Sequence, residues 1–258
     1  MKRRLQKDKL QPYSISAQYY DLLAQYIDFN EIVDYLEEIL FYKEISPKKV
    51  LDLGCGTGIA SLIMSEKGYS VTGVDCSIDM LDVAKNKAAE KKIKIPFIQA
   101  KMEEFKKDDE FDLVISLSDC INHLIPHKLV QKTFRNVYDS LTDGGIFIFD
   151  INTPYELEHV MSVEQEEIIG SLKYTWSGYF DHKVGIGTFI QSFYSLENGQ
   201  EVFIGKEVHK EQAYKPREIR IWLKDAGFKN IEYYEAFTRE KPDKVNIERI
   251  YFVAEKHV

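Results

Sequence analysis

Apolar and polar positions change period several times along this chain. Residues 50–53, 70–74, 96–99, 111–117 and 146–151 are short apolar runs, the pattern of strands buried on both faces. Between them, residues 59–67, 79–92 and 127–141 place apolar side chains at helical spacing. Upstream, Tyr20, Leu23, Ala24 and Ile27, then Ile32, Val33, Leu36, Ile39 and Leu40, predict two further helices within residues 13–45, broken near Asp28-Phe29-Asn30. Strands alternating with helices imply a mostly parallel sheet with helices on both faces.

The period changes after Pro154. Residues 171–176, 184–194 and 201–208 carry aromatic and β-branched side chains at near-alternate positions, and Asn198-Gly199 between two of these runs is a strong hairpin signal. An antiparallel β insert over residues 155–213 is expected. Helical spacing resumes over residues 216–226 and stops at Gly227, and residues 231–237 and 247–254 then read as a closing pair of strands. The expected organisation is therefore 1–154, an inserted unit 155–213, and 214–258 completing a seven-stranded α/β sheet.

Three glycines at alternate positions interrupt the first strand–helix junction: Val50-Leu51-Asp52-Leu53-Gly54-Cys55-Gly56-Thr57-Gly58. Strand, glycine turn and helix N-terminus make a nucleotide-sized crevice. The spacing is G-x-G-x-G, not the G-x-G-x-x-G of dinucleotide sites. Asp52 sits two residues before the first glycine, where a carboxylate repels a pyrophosphate and suits a positively charged or amine-bearing ligand. Asp75 ends the second strand, 21 residues after Gly54, a place from which an acid can accept from ribose hydroxyls.

The run Leu51-Asp52-Leu53-Gly54-Cys55-Gly56-Thr57-Gly58, then Val74-Asp75-Cys76-Ser77 and Met80-Leu81, resembles the class I S-adenosylmethionine (SAM)-dependent methyltransferases. Phe111-Asp112-Leu113-Val114-Ile115-Ser116 resembles that family's fourth strand, and the run from Leu141 through Asp143-Gly144-Gly145 to Asp150 its fifth. Tyr13, Ala17, Tyr19-Tyr20-Asp21-Leu22 and Asp150-Ile151-Asn152 match a bacterial subgroup of small methyltransferases, often of unassigned substrate. The resemblance covers residues 13–150 firmly and implies a Rossmann-like fold with SAM as cofactor and S-adenosylhomocysteine as product. It implies that the backbone from Asp52 through Gly54, Cys55, Gly56 and Gly58 holds the methionine moiety and Asp75 the ribose. Cys76 and Met80 would flank the adenine, Ser116, Leu117 and Ser118 would line the methionine side, and Tyr13 and Tyr20 would close over the cofactor from the N-terminal helix. Many relatives place an acid after the third strand; here Ala100-Lys101-Met102 stands there, so Lys101 departs from the pattern and the Met102 backbone amide takes its place.

Methyl transfer needs alignment more than a dedicated residue, and a base only when the acceptor is still protonated. His123 is the candidate base, and Asp119 would orient either it or an acceptor amine, both in the loop after the fourth strand. That loop lacks the Asn/Asp-Pro-Pro-aromatic signature of nucleic-acid amino-methylating enzymes, and Cys120 has no preceding proline. Tyr174, Trp176, Tyr179 and Phe180 are either an acceptor pocket or the insert's core. The net charge of −8 and pI near 5.4 argue against a nucleic-acid acceptor; the one dense basic run is Lys2-Arg3-Arg4 with Lys7 and Lys9, read as a solvated tail. Cys55, Cys76 and Cys120 lack ligand spacing, so no metal is expected and a reducing cytoplasm fits. No apolar run spans a membrane and no secretory h-region stands at the N-terminus. The expected function is methyl transfer from SAM to a nitrogen or oxygen of a small molecule, from a monomer or a homodimer, with the insert as a lid. An RNA or protein acceptor, and a SAM-binding sensor without activity, remain open.

Overall fold

The computed structural model describes residues 12–242 and 245–257; the basic run from Lys2 to Lys9 lies outside them. The first five strands are β1 (Lys49–Leu53), β2 (Ser70–Asp75), β3 (Phe97–Gln99), β4 (Phe111–Ser116) and β5 (Leu141–Asn152). The insert contributes β6 (Gln165–Ile169), β7 (Leu172–Asp181), β8 (Ile186–Glu197) and β9 (Gln200–Gln212), and the chain closes with β10 (Lys229–Glu235) and β11 (Arg249–Glu255). Among the described residues six α-helices, α1 (Tyr20–Leu23), α2 (Phe29–Tyr42), α3 (Ile59–Glu66), α4 (Ile78–Lys91), α5 (His127–Ser140) and α6 (Pro216–Ala226), connect them, with short 3₁₀ turns at Ser16–Gln18 and Cys120–His123 and a π-helical turn at Glu156–Val160. None is long and apolar enough to cross a membrane.

The main sheet runs β3-β2-β1-β4-β5-β11-β10. Neighbours are parallel except β11, which is antiparallel to both β5 and β10. This is the Rossmann-like α/β architecture. On β5, Ile146 and Ile148 face one way, with Leu36 of α2 and Met64 of α3; Phe147 and Phe149 face the other, with Phe134 of α5 and Leu223 of α6. Burial on both faces is why that strand reads as an unbroken apolar run. Asp28 caps α2, its carboxylate accepting from Asn30 N and Glu31 N, and Ser77 caps α4, accepting from Met80 N. The sheet reverses its winding at β1, which pairs β2 on one side and β4 on the other, and ligand crevices form at that switch.

Three expectations need correction. Strand five begins at Leu141, not 146, because Leu141 already pairs with Phe111 before a register shift; the Asp143-Gly144-Gly145 turn lies inside the strand. The insert has four strands in the order β6-β7-β8-β9, one more than the pattern predicts. The first N-terminal helix shrinks to the four residues of α1, and Tyr13 lies outside it, in a turn at φ 65°.

Candidate active site at the switch between β1 and β4

The glycine turn is tied to β2. The amides of Gly54 and Cys55 both donate to the Val74 carbonyl, at 2.7 and 3.0 Å, and Gly56 N donates to Asp75 Oδ2 at 2.9 Å. A Cβ on Gly54, at φ +86°, would stand 2.6 Å from Cys120 Sγ, whereas one on Gly56 would meet nothing within 4 Å. Gly54 is thus fixed by its neighbour across the crevice, while Gly56 keeps the backbone open toward a ligand. Asp75 Oδ1 accepts from Ser77 N at 2.8 Å. The helix cap belongs to Ser77, which leaves Asp75 organising the turn. Burial raises the Asp75 carboxyl, and the hydrogen bonds from Ser77 and Gly56 partly oppose it.

Asp52 and Cys55 turn inward. Asp52 is 2% exposed, accepts from Ser61 Oγ at 2.5 Å, and is pushed up to about 6 by burial against the pull of that hydroxyl. The Cys55 side chain packs beneath the turn beside Gly73. Met80 is buried in α4, and Cys76 is exposed at the rim. The Lys101 ammonium pairs with Glu104 at 3.3 Å on the surface, and Met102 packs against the core.

Across the crevice the loop after β4 is held in an unusual shape. Ser118 and Asp119 both have positive φ, 57° and 54°. Their amides donate to the two oxygens of Asp150, at 2.8 and 2.9 Å. Arg249 bonds Asp150 through Nη1 and Asp119 through Nη2, the latter at 2.9 Å. Asn122, fully buried, donates to the carbonyls of Asn152 and Gln212 at 3.0 and 2.9 Å, stapling the loop to the insert. Leu117 is buried, and Ser116 Oγ is buried without a hydrogen-bond partner.

Beyond that loop, the second sheet presents Glu207, His209 and Glu211, alternate residues of β9, all nearly inaccessible. His123 faces them. Tyr13 Oη and His123 Nε2 are 3.0 Å apart, and Asp119 Oδ2 is 3.8 Å from the same nitrogen. Burial lowers the His123 pKa; Asp119 opposes this and His209 adds to it, so the ring is neutral near pH 7. Glu211, bonded by Asn152 Nδ2 at 3.0 Å, is pushed well up by burial and by the charge of Asp119. Burial also raises the hydroxyl pKa of Tyr13 and Tyr20, keeping both protonated. Asp119, His123 and Glu211 offer ligand atoms within 4.8 Å of one another, a spread a cation could span, although the Arg249 guanidinium already balances Asp119. Trp176 belongs to the insert's own packing: its indole donates to the Met161 carbonyl at 2.6 Å and stacks on Phe189. Tyr174 bonds Glu167 at 2.9 Å, and Tyr179 is 58% exposed.

Sequence reading singled out the glycine turn, Asp75, Asp119 and His123, which the structure gathers around one crevice. It missed Arg249, Asn122, Glu207, His209 and Glu211. The last three carried no signal, because residues 206–212 are all polar apart from Val208 and only the fold buries every second one.

The turn suits SAM. Open space lies beside Gly56 and a carboxylate stands at the end of β2, while β4 across the crevice brings an orphaned hydroxyl at Ser116. Comparison with known proteins agrees. Residues 50–145 match the methyltransferase domain family. A protein of Geobacillus sp. (strain WCH70) described as "Putative methyltransferase" is 31% identical over 95% of this chain and 99% of its own. The crystal structure of a SAM-dependent methyltransferase from Clostridium acetobutylicum ATCC 824 superposes with a TM-score of 0.83 at 26% identity, covering 95% of this chain and 98% of that one. The sugar N-methyltransferase KedS8 from Streptoalloteichus sp ATCC 53650 shares the fold, with a TM-score of 0.78 at 16% identity over 100% and 98% of the two chains. The chain belongs to the class I SAM-dependent methyltransferases.

Proposed function

We propose that the methyl acceptor is the amine of a small molecule, seated between the β4 loop and the inserted sheet, and that His123 is its base. One observation carries this reading: a half-buried, neutral imidazole with its Nε2 on the Tyr13 hydroxyl, beside the carboxylate of Asp119. Bound SAM supplies a methyl group on a cationic sulfur. The turn from Gly54 to Gly58 and Asp75 hold that cofactor, and the Asp119–Arg249–Asp150 network fixes the wall opposite. An amine arrives mostly as ammonium at neutral pH and must lose a proton before its lone pair can attack. His123 accepts the proton. The inserted sheet, acting as a lid, excludes water from the reacting groups. A sugar N-methyltransferase shares the fold.

The test is a panel of amino sugars, diamines and amino acids, with phenols and carboxylic acids beside them, incubated with SAM and assayed for S-adenosylhomocysteine. Product from amines, unaffected by chelator, is expected; product from phenols or acids alone overturns the reading. His123→Ala should leave SAM affinity within about twofold and lower turnover about 10²–10⁴-fold. Because burial lowers the imidazole pKa, the acid limb of the wild-type rate profile should fall below pH 6.5. Unchanged turnover in the variant, or an acid limb above 6.5, removes His123 from the role.

A further inference from the structure

The segment that carries Tyr13 is too short to hold its own shape. It contains a three-residue 3₁₀ turn, Ser16–Gln18, and the four residues of α1, well below the length at which a helix is stable alone. Two carboxylates anchor it near its ends, one from the insert and one, Asp21, of its own. On the insert, Glu207 is 1% exposed. Its Oε1 accepts from Ile15 N at 2.5 Å and from Ser16 N at 3.2 Å, and its Oε2 from Ser16 Oγ at 2.8 Å, with His209 Nε2 at 3.2 Å. At the other end, Asp21 accepts from Thr57 Oγ1 at 2.6 Å and from Lys87 Nζ at 2.5 Å. Thr57 lies in the glycine turn, so this anchor rests on the cofactor loop itself. Between the anchors, Ile15 packs with Leu172 and Phe193 of the insert, and Tyr19 stacks on Phe193 at 6.0 Å. Tyr13, just before the first anchor, contacts the His209 ring at 4.7 Å and His123 by hydrogen bond.

We propose that Glu207 is a positioning residue: it latches residues 13–23 as a strap across the cofactor crevice and so couples the inserted sheet to cofactor retention and to the Tyr13–His123 contact. Glu207 touches none of the reacting groups. Four donors on one buried carboxylate make a rigid joint, since both oxygens are saturated and charge-assisted. Releasing that joint frees the strap at its insert end while Asp21 still holds the other. The cofactor half of this proposal is independent of the acceptor; the contact with His123 rests on the role proposed for that residue.

The experiment reads the dissociation rate of S-adenosylhomocysteine, which needs no acceptor, in Glu207→Gln, Asp21→Asn and the double variant. Each single variant should release the ligand about tenfold faster, the size of one charge-assisted hydrogen bond. The double variant should gain little more, because both residues act through one strap. Amide exchange should quicken at Ile15 and Ser16 in Glu207→Gln while the β7–β8 ladder keeps its protection. Ser16→Ala, which leaves the carboxylate intact, should show the same change at about threefold and serves if Glu207→Gln fails to fold. An unchanged dissociation rate, effects that multiply in the double variant, or equal loss of protection through β7 and β8 overturns the latch. Failure of the amine panel with these rates as expected would sink the acceptor assignment and leave the latch standing.

Discussion

Asp75 gathers two backbone amides, those of Gly56 and Ser77, on one carboxylate, and still faces the crevice from the end of β2. That double duty separates it from an ordinary cap. Asp75→Ala removes the acceptor proposed for ribose hydroxyls and frees the glycine turn at once, so SAM affinity should fall by about 1–3 kcal/mol, the scale of hydrogen bonds to a charged group. Isothermal titration measures it directly, and an unchanged Kd would mean that the cofactor is held elsewhere. Asp75 was legible in the sequence because its partner loop lies 21 residues upstream, within one β-α-β unit. Glu207 was not, because the amides it holds are separated from it by 191 and 192 residues and only the folded topology brings them together. Asp52 was legible as a carboxylate with a purpose, but not its direction: the strand buries it under Ser61, where it supports the turn instead of facing the ligand.

At the scale of elements, β5 and β11 act as a clamp on the loop after β4. Asp150 lies on β5, fully buried; Arg249 starts β11, and the antiparallel register sets it opposite Asn152, two residues along. The guanidinium balances both Asp150 and Asp119, and those charges raise its own pKa further against burial. Arg249→Met leaves Asp150 buried without its cation, so the chain should lose about 3–5 kcal/mol of stability in urea, and Asp150→Asn in that background should recover part of the loss. Equal stability of the Arg249→Met and wild-type chains would show the pair to be dispensable. The α/β alternation was legible because buried strands and amphipathic helices have different periods. Two features were hidden. Strand β6, Gln165–Ile169, is a sheet edge with Gln165, Glu166 and Ile168 exposed and three polar residues leading, so it lacks the apolar signature. The start of β5 carries Asp143-Gly144-Gly145, turn residues by composition, yet ladder pairing at Leu141 draws them into the strand.

Over the whole molecule, buried carboxylates set the response to pH. Asp52 is raised to about 6 by burial, and Glu156 to about 7 by burial and by the charge of Glu248. Asp75, Asp150 and Glu211 are raised for the same first reason. A group whose folded pKa lies above its unfolded one stabilises the fold fully below the unfolded value, near 4, and that stability is lost as pH rises through 6 and 7. Glu207 and Glu255 act oppositely. Burial would raise them, but hydrogen bonds from His209, Ile15 and Ser16, and from Asn230, His257 and Lys43, hold them below the usual carboxylate value, so their stability is lost only as pH falls through that lowered range. His123, lowered by burial, also weakens the fold below pH 6.5, one group against five. The net charge of −8 adds self-repulsion at neutral pH that fades toward the pI near 5.4. Between pH 5 and 8, Asp52, Glu156 and the net charge point the same way, with the histidine against them. Without ligand, the melting temperature should therefore be higher at pH 5 than at pH 8 and fall again below pH 4. Asp52→Asn keeps an acceptor for Ser61 but cannot ionise, so the gap between the two melting temperatures should narrow in that variant. A chain that melts higher at pH 8, or a variant with the full wild-type gap, would place the titrating groups elsewhere than under the glycine turn.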